Sequence, residues 1–304
     1  MQYLIVIGGA TATGKTALAV WLAQQLGTEI LSADSRQFYR GMDIGTAKPS
    51  APERAAIRHH FIDSLDVSVP YSAGDFERDA LRVLEDLFRT RDTVILTGGS
   101  GLFIQAVCEG LDIFPEITEA ARKQVADGID QGGIAWLQDT LRELDPLYYR
   151  QVDVHNPARL RRALEVCLSA GAPYSDFLKK EKPKRAFQPI YVLLDLPREA
   201  LYRRIDERVD AMIRAGLEEE ARALLPFRHL PALQTVGYTE WFDYFDGRTD
   251  RQTAVEKIKQ HTRNYAKRQA TWFRKHGSWA TFAPDAHAAV LAHVRRQMSS
   301  FIPE

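Results

Sequence analysis

Apolar residues along the chain fall into short unbroken runs separated by longer amphipathic stretches. Tyr3 to Ile7 is such a run, closed by Gly8 and Gly9, and Ala17, Leu18, Trp21, Leu22 and Leu26 then recur at helix spacing over 16–26. Further buried strands are predicted at Glu29 to Ala33, Thr93 to Leu96 and Pro189 to Leu196. This alternation implies an α/β fold, a doubly wound parallel sheet whose ligands lie outside the carboxyl ends of its strands. The site is therefore expected near Gly9, Asp34 and Gly98. Between Asp112 and Phe187 no convincing strand appears, and Thr118 to Gly128, Ile134 to Leu144 and Pro157 to Ser169 read as helices. A helical domain over 112–186 is thus expected as an insertion into a core made of 1–111 and 187–304. After Leu196 the predicted helices Leu201 to Leu225 and Thr253 to His276 can wrap the sheet.

Composition narrows the class without changing this architecture. The 304 residues are 45% hydrophobic and 26% charged, as in a globular protein, with no repeat or low-complexity segment. A chain this long buries roughly 75% of its unfolded surface. The opening apolar run stops at Gly8, too early for a signal or membrane helix, so a cytoplasmic protein with no membrane partner is expected. Cys108 and Cys167 form no CxxC pair, which argues against a disulfide framework and a cysteine zinc site. The adjacent His59 and His60 read as structural, because sequence neighbours rarely converge on one ion. Forty basic residues balance forty acidic ones, so any nucleic-acid surface must be local. Lys257 to His276 holds seven Lys or Arg and no acid, and smaller basic clusters lie at Arg159, Arg161 and Arg162 and across Lys179 to Arg185. Each cluster can also be read as a solvated face.

The strongest chemical signal is Gly9-Ala10-Thr11-Ala12-Thr13-Gly14-Lys15-Thr16, a GxxxxGK[ST] loop between a predicted strand and helix. Its backbone N–H groups and helix N-terminus suit a diphosphate, Lys15 supplies charge, and the Thr16 hydroxyl can hold magnesium. The spacing does not say which diphosphate. A nucleoside triphosphatase would usually carry a carboxylate at the end of a second strand, but the strand Thr93 to Leu96 runs into Thr97-Gly98-Gly99-Ser100-Gly101. The acid instead follows the strand before it, in Ser32-Ala33-Asp34-Ser35-Arg36-Gln37.

Together with Gly41 to Pro49, Gly98 to Phe103, Asn156 to Val166, Arg204 to Val209, Val236-Gly237-Tyr238 and Thr262 to Trp272, these motifs resemble the bacterial tRNA dimethylallyltransferase family from about Leu4 to Phe282. The resemblance implies that the loop holds dimethylallyl diphosphate with Mg2+, and that an adenosine 3′ to the anticodon of tRNA is the acceptor. It implies Asp34 as base for the adenine amine, and Arg208 and Ser100 at the reacting groups. It further implies tRNA contacts from Asp34, Ser35, Arg36 and Gln37, and from Arg122 with Ala158, Arg159, Leu160, Arg161 and Arg162. Thr235, Val236, Gly237, Tyr238, Thr239 and Glu240, and Thr262, Arg263, Asn264, Tyr265, Ala266, Lys267, Arg268 and Gln269, complete that set. Asp34 alone could also be a magnesium ligand or a cap, and Tyr265 and Trp272 could be core.

Two departures stand out: Ala10 where the family has Pro, and Ser100 where it commonly has Thr. The first removes a rigid φ angle and the second a rotamer-restricting methyl. The family's eukaryotic members add a zinc finger, for which this chain has no cysteine after Cys167. A monomer is expected. Rival readings are an adenylate dimethylallyltransferase acting on a free nucleotide, a small-molecule P-loop kinase, and an RNA-binding protein with a vestigial loop.

Overall fold

The computed structural model describes residues 1–178 and 182–300. Lys179, Lys180 and Glu181 of one basic cluster lie outside them. Contacts divide the chain into two compact units, Met1–Glu109 with Arg185–Glu304, and Gly110–Lys184.

The first unit is built on strands β1 (Tyr3–Gly9), β2 (Ile30–Ser32), β3 (His59–His60), β4 (Thr93–Gly98), β5 (Gln188–Leu194) and β6 (Ala280–Phe282). They form one sheet in the order β3-β2-β4-β1-β5-β6, every pairing parallel. Side chains alternate faces along a strand, and β1 shows the result. Leu4 and Val6 join the cluster of Leu31, Val94, Leu96, Phe38 and Phe76 on one face. Ile5 and Ile7 meet Leu18, Leu22, Val290 and Val294 on the other. Both faces are covered, as a parallel sheet requires.

Two strands differ from the sequence expectation by being additions. The edge strands β3 and β6 have two and three residues, too few to show a period. His59 and His60 are structural: His60 Nε2 lies 2.7 Å from Glu29 Oε2, and His59 Nδ1 lies 2.8 Å from the Ile57 carbonyl. The helix expected over Leu201 to Leu225 is two helices, Arg198–Arg214 and Leu217–Leu224. Gly216 between them takes φ 99°, a left-handed turn that breaks the helix. The helix Arg251–Lys275 is continuous, N-capped by Asp250, which accepts from the Thr253 N–H at 2.8 Å. Among the described residues no helix is long and apolar enough to cross a membrane.

The second unit is helical. Glu119–Leu144 is interrupted at Gly133 (φ 58°, ψ −144°), and its two arms share a core with Pro157–Ala170. Val125, Leu137, Leu141, Leu160, Ala163 and Leu164 fill that core. Asp145 is buried and accepts from the Tyr148 and Ser175 N–H groups at 2.9 and 2.7 Å, closing the connection beside them.

Candidate active site

The loop after β1 turns on backbone conformations that its residues make possible. Gly9 and Gly14 have φ 149° and 92°, and Ala12 takes φ 65°, a strained conformation of the kind found in ligand-holding loops. Thr13 is buried and donates from Oγ1 to the Ala10 carbonyl at 2.9 Å, so it braces the loop. Thr11, Ala12, Gly14, Lys15 and Thr16 face a cavity of about 540 Å³ beyond the carboxyl ends of β1, β2 and β4. Gly9, Ala10 and Thr13 stand behind that surface.

Asp34, two residues past β2, enters the same cavity, as do Arg36 and Gln37. Asp34 Oδ1 accepts from the Arg36 N–H at 3.1 Å, a local turn that fixes the carboxylate at the cavity wall. No helix follows Asp34, so this bond closes a turn and does not cap a helix. Arg208 reaches the cavity from the helix Arg198–Arg214 and forms no ion pair among the described residues. Burial pushes the Lys15 ammonium down to about 7, Arg208 pushes it further the same way, and Asp34 opposes both. Burial likewise lowers Arg208, again opposed by Asp34. Lys15 and Arg208 are thus desolvated cations offset by Asp34, a setting that suits an anion.

Ser100 does not line the cavity. Its Oγ accepts from the Ser35 N–H at 3.1 Å and donates to Ser35 Oγ at 3.2 Å, tying the loops after β2 and β4 together. Tyr265 adds a hydrogen bond to Ser100, and its hydroxyl is pushed up to about 12 by burial and by the Asp34 charge. Tyr265 thus faces the cavity beside Asp34 and is not inert core.

The segments expected to meet RNA divide by geometry. From the helix Arg251–Lys275, Thr262, Tyr265 and Gln269 face the cavity. Asn264, Lys267 and Arg268 are exposed, and Ala266 is buried against Ala10. Arg263 is held at 2.5 Å by Asp206, so it is not a free phosphate contact beside Lys267 and Arg274. Thr235, Val236 and Gly237 line the cavity, but Tyr238 and Glu240 are buried behind it. Glu240 accepts from the Gly237 N–H at 2.8 Å and pairs with His261 at 2.6 Å; Thr239 also bonds it. Tyr238 and Glu240 support the wall from behind. In the second unit Arg122, Ala158, Arg159, Arg161 and Arg162 are exposed, whereas Leu160 belongs to the core. Arg161 pairs with Glu165 at 2.7 Å, and Arg162 sits 5.6 Å over the Phe114 ring.

Sequence reasoning missed the facing wall. Gly45, Thr46, Ala47, Glu207, Met212 and Leu217 also line the cavity. Glu220 holds the first of these: its carboxylate accepts from the N–H groups of Asp43, Ile44 and Gly45 at 2.8–2.9 Å and from the Tyr238 hydroxyl at 2.7 Å. Gly41 to Pro49 was visible as a motif, but its partner lies 175 residues away. Among the described residues no three His, Cys, Asp or Glu converge as a metal cage.

A family model described as IPP transferase matches residues 37–276. The tRNA dimethylallyltransferase of Christiangramia forsetii is 52% identical over 274 residues, covering 90% of this chain and 91% of its own. That of Flavobacterium johnsoniae is 45% identical over 308 residues, covering 99% of this chain and 100% of its own. The solved tRNA isopentenylpyrophosphate transferase of Bacillus halodurans superposes with a TM-score of 0.72 at 32% identity, covering 99% of each chain.

Proposed function

The chain belongs to the IPP transferase family, and from that premise we propose that its cavity joins dimethylallyl diphosphate to the exocyclic amine of the adenosine 3′ to the anticodon. It is a transferase that prenylates tRNA. One observation carries the chemistry: Lys15, Arg208 and Asp34 share one cavity, with two desolvated cations for a leaving diphosphate and one carboxylate for a proton.

The amine nitrogen forms a bond to the allylic carbon as the carbon–oxygen bond breaks, and the electron pair leaves with the diphosphate. Lys15 and Arg208 stabilise the charge that grows on the departing oxygens. Asp34 orients the amine and takes its proton. Magnesium would be held by Thr16 and the diphosphate, adding positive charge on the leaving group. An adenine stacked in a loop must be flipped into the cavity at a cost of a few kcal/mol, offset by RNA contacts outside it. Lys267, Arg268 and Arg274 are exposed cations for those phosphates, and the second unit offers exposed cations of its own. A tRNA substrate supports a cytoplasmic site of action.

The kinase reading loses ground because β4 ends without a carboxylate. Incubating a tRNA transcript with dimethylallyl diphosphate and Mg2+, then weighing its nucleosides, tests the proposal. One dimethylallyl group on the adenosine 3′ to the anticodon is expected; prenylation of free AMP with none on tRNA would move the enzyme to the free-nucleotide class.

A further inference from the structure

The helix Arg251–Lys275 lies directly on the loops that bind and activate the substrates. Tyr265 meets Ser100, and Ala266 packs on Ala10. One turn on, a buried side chain makes the only polar link among these contacts to both loops at once. Gln269 Oε1 accepts from the Thr11 N–H at 2.8 Å, and its Nε2 donates to the Gly99 carbonyl at 2.9 Å. A Cβ at Gly99 would overlap that amide nitrogen, so the backbone is cut back to admit it.

The Thr11 bond is notable because backbone N–H groups of such a loop ordinarily point at the bound anion. Here one of them is held by a side chain of the helix whose outer face carries Lys267, Arg268 and Arg274. Gln269 is buried, and each end of its amide is tied to one of the two loops, so the side chain is held by them. A shift of the helix under RNA must therefore act on Thr11 and Gly99 together.

We propose that Gln269 is a positioning residue that couples tRNA engagement on the outer face of this helix to diphosphate binding at the loop. The inference rests on the tRNA reading above. The two sites then bind with positive cooperativity, and linkage makes the effect reciprocal. Removing both hydrogen bonds while keeping the side chain's length and bulk separates coupling from packing, and Gln269→Met does so. Gln269→Glu keeps the acceptor for Thr11 but turns an oxygen toward the Gly99 carbonyl, so only half of the link survives.

The test measures the affinity of inorganic diphosphate with Mg2+ in the absence and presence of a saturating anticodon stem-loop. Wild type is expected to bind diphosphate more tightly in the presence of RNA, by a factor in the typical range of about 5 to 150. In Gln269→Met that factor falls to about 1, and in Gln269→Glu it falls between. Unchanged coupling in Gln269→Met, or no coupling in wild type, overturns the proposal. Equal losses of both separate affinities with a lowered Tm assign Gln269 to folding alone and also overturn it. Failure of wild type to bind the stem-loop at all refutes the tRNA reading instead, and this inference with it.

Discussion

Replacing Lys15 with Arg isolates a proton that the free protein lacks and the bound protein needs. Burial and the nearby Arg208 hold the Lys15 ammonium at about 7, against 10.5 for the free side chain. At pH 8 such a group is about nine-tenths deprotonated, and at pH 6 about one-tenth. A diphosphate against the amine restores the ordinary value, so binding at pH 8 draws in about 0.9 proton and binding at pH 6 about 0.1. The guanidinium that Lys15→Arg introduces stays charged throughout and takes up none. Titration calorimetry of inorganic diphosphate with Mg2+, in two buffers of different ionisation heat, counts these protons. The wild-type excess over Lys15→Arg should grow from about 0.1 at pH 6 to about 0.9 at pH 8, the variant cancelling protons contributed by the ligand. Equal counts in both proteins at pH 8 would refute the placement of Lys15 as a desolvated cation awaiting an anion. The same shift has a sign in stability. Between about pH 7 and 10.5 the unfolded chain holds a proton that the folded, unliganded chain has released, so stability rises with pH through that window, on the order of 5 kcal/mol for this group.

Asp34→Asn should keep the fold, since an amide oxygen can still accept from the Arg36 N–H, but should slow single-turnover transfer about 100-fold or more; a near wild-type rate would remove it as the base. Ser100→Thr should be tolerated and Ser100→Ala should slow transfer, because the hydroxyl joins Ser35 to Tyr265; equal rates in the two variants would show that this link does not matter. For Lys267→Ala with Arg274→Ala, the slope of log tRNA affinity against log salt should flatten by about 0.7 to 0.9 per lost contact. Adding Arg263→Ala should change the slope less, because Asp206 already neutralises that side chain. A salt titration of the double and triple variants decides it, and an unchanged slope in the double variant would take this helix face out of the RNA surface.

What the sequence disclosed follows from the range of each signal. The loop Gly9 to Thr16 was legible because all its determinants are consecutive, and β1, β2, β4 and β5 because each is a buried apolar run. The edge strands escaped because pairing, and not composition, makes them strands. The Gly216 break escaped because the apolar spacing continues through it into Leu217, Ala221 and Leu224. Family motifs pointed to Tyr238, Glu240 and Gln269 but not to their burial, since a motif marks a residue as required without saying whether it faces substrate or its neighbours. Glu220 left no local trace at all. Its work is to gather backbone N–H groups from a distant loop, which only the folded chain brings within reach.

The seat of the helix Arg251–Lys275 also governs how mutational data on this enzyme must be interpreted. Gly8 faces Phe273, Gly99 faces Gln269 and Gly101 faces Trp272, each so closely that a single added methyl would overlap its neighbour. A saturation scan would consequently draw a band of intolerance along the glycines at the carboxyl ends of β1 and β4, matched by a second band at 269, 272 and 273. On a plot of activity alone these bands would look like substrate contacts. Paired large-to-small changes across the seat, such as Gly101→Ala with Trp272→Leu, should recover activity that the added methyl alone loses, and such rescue distinguishes an internal bearing surface from the reactive pocket.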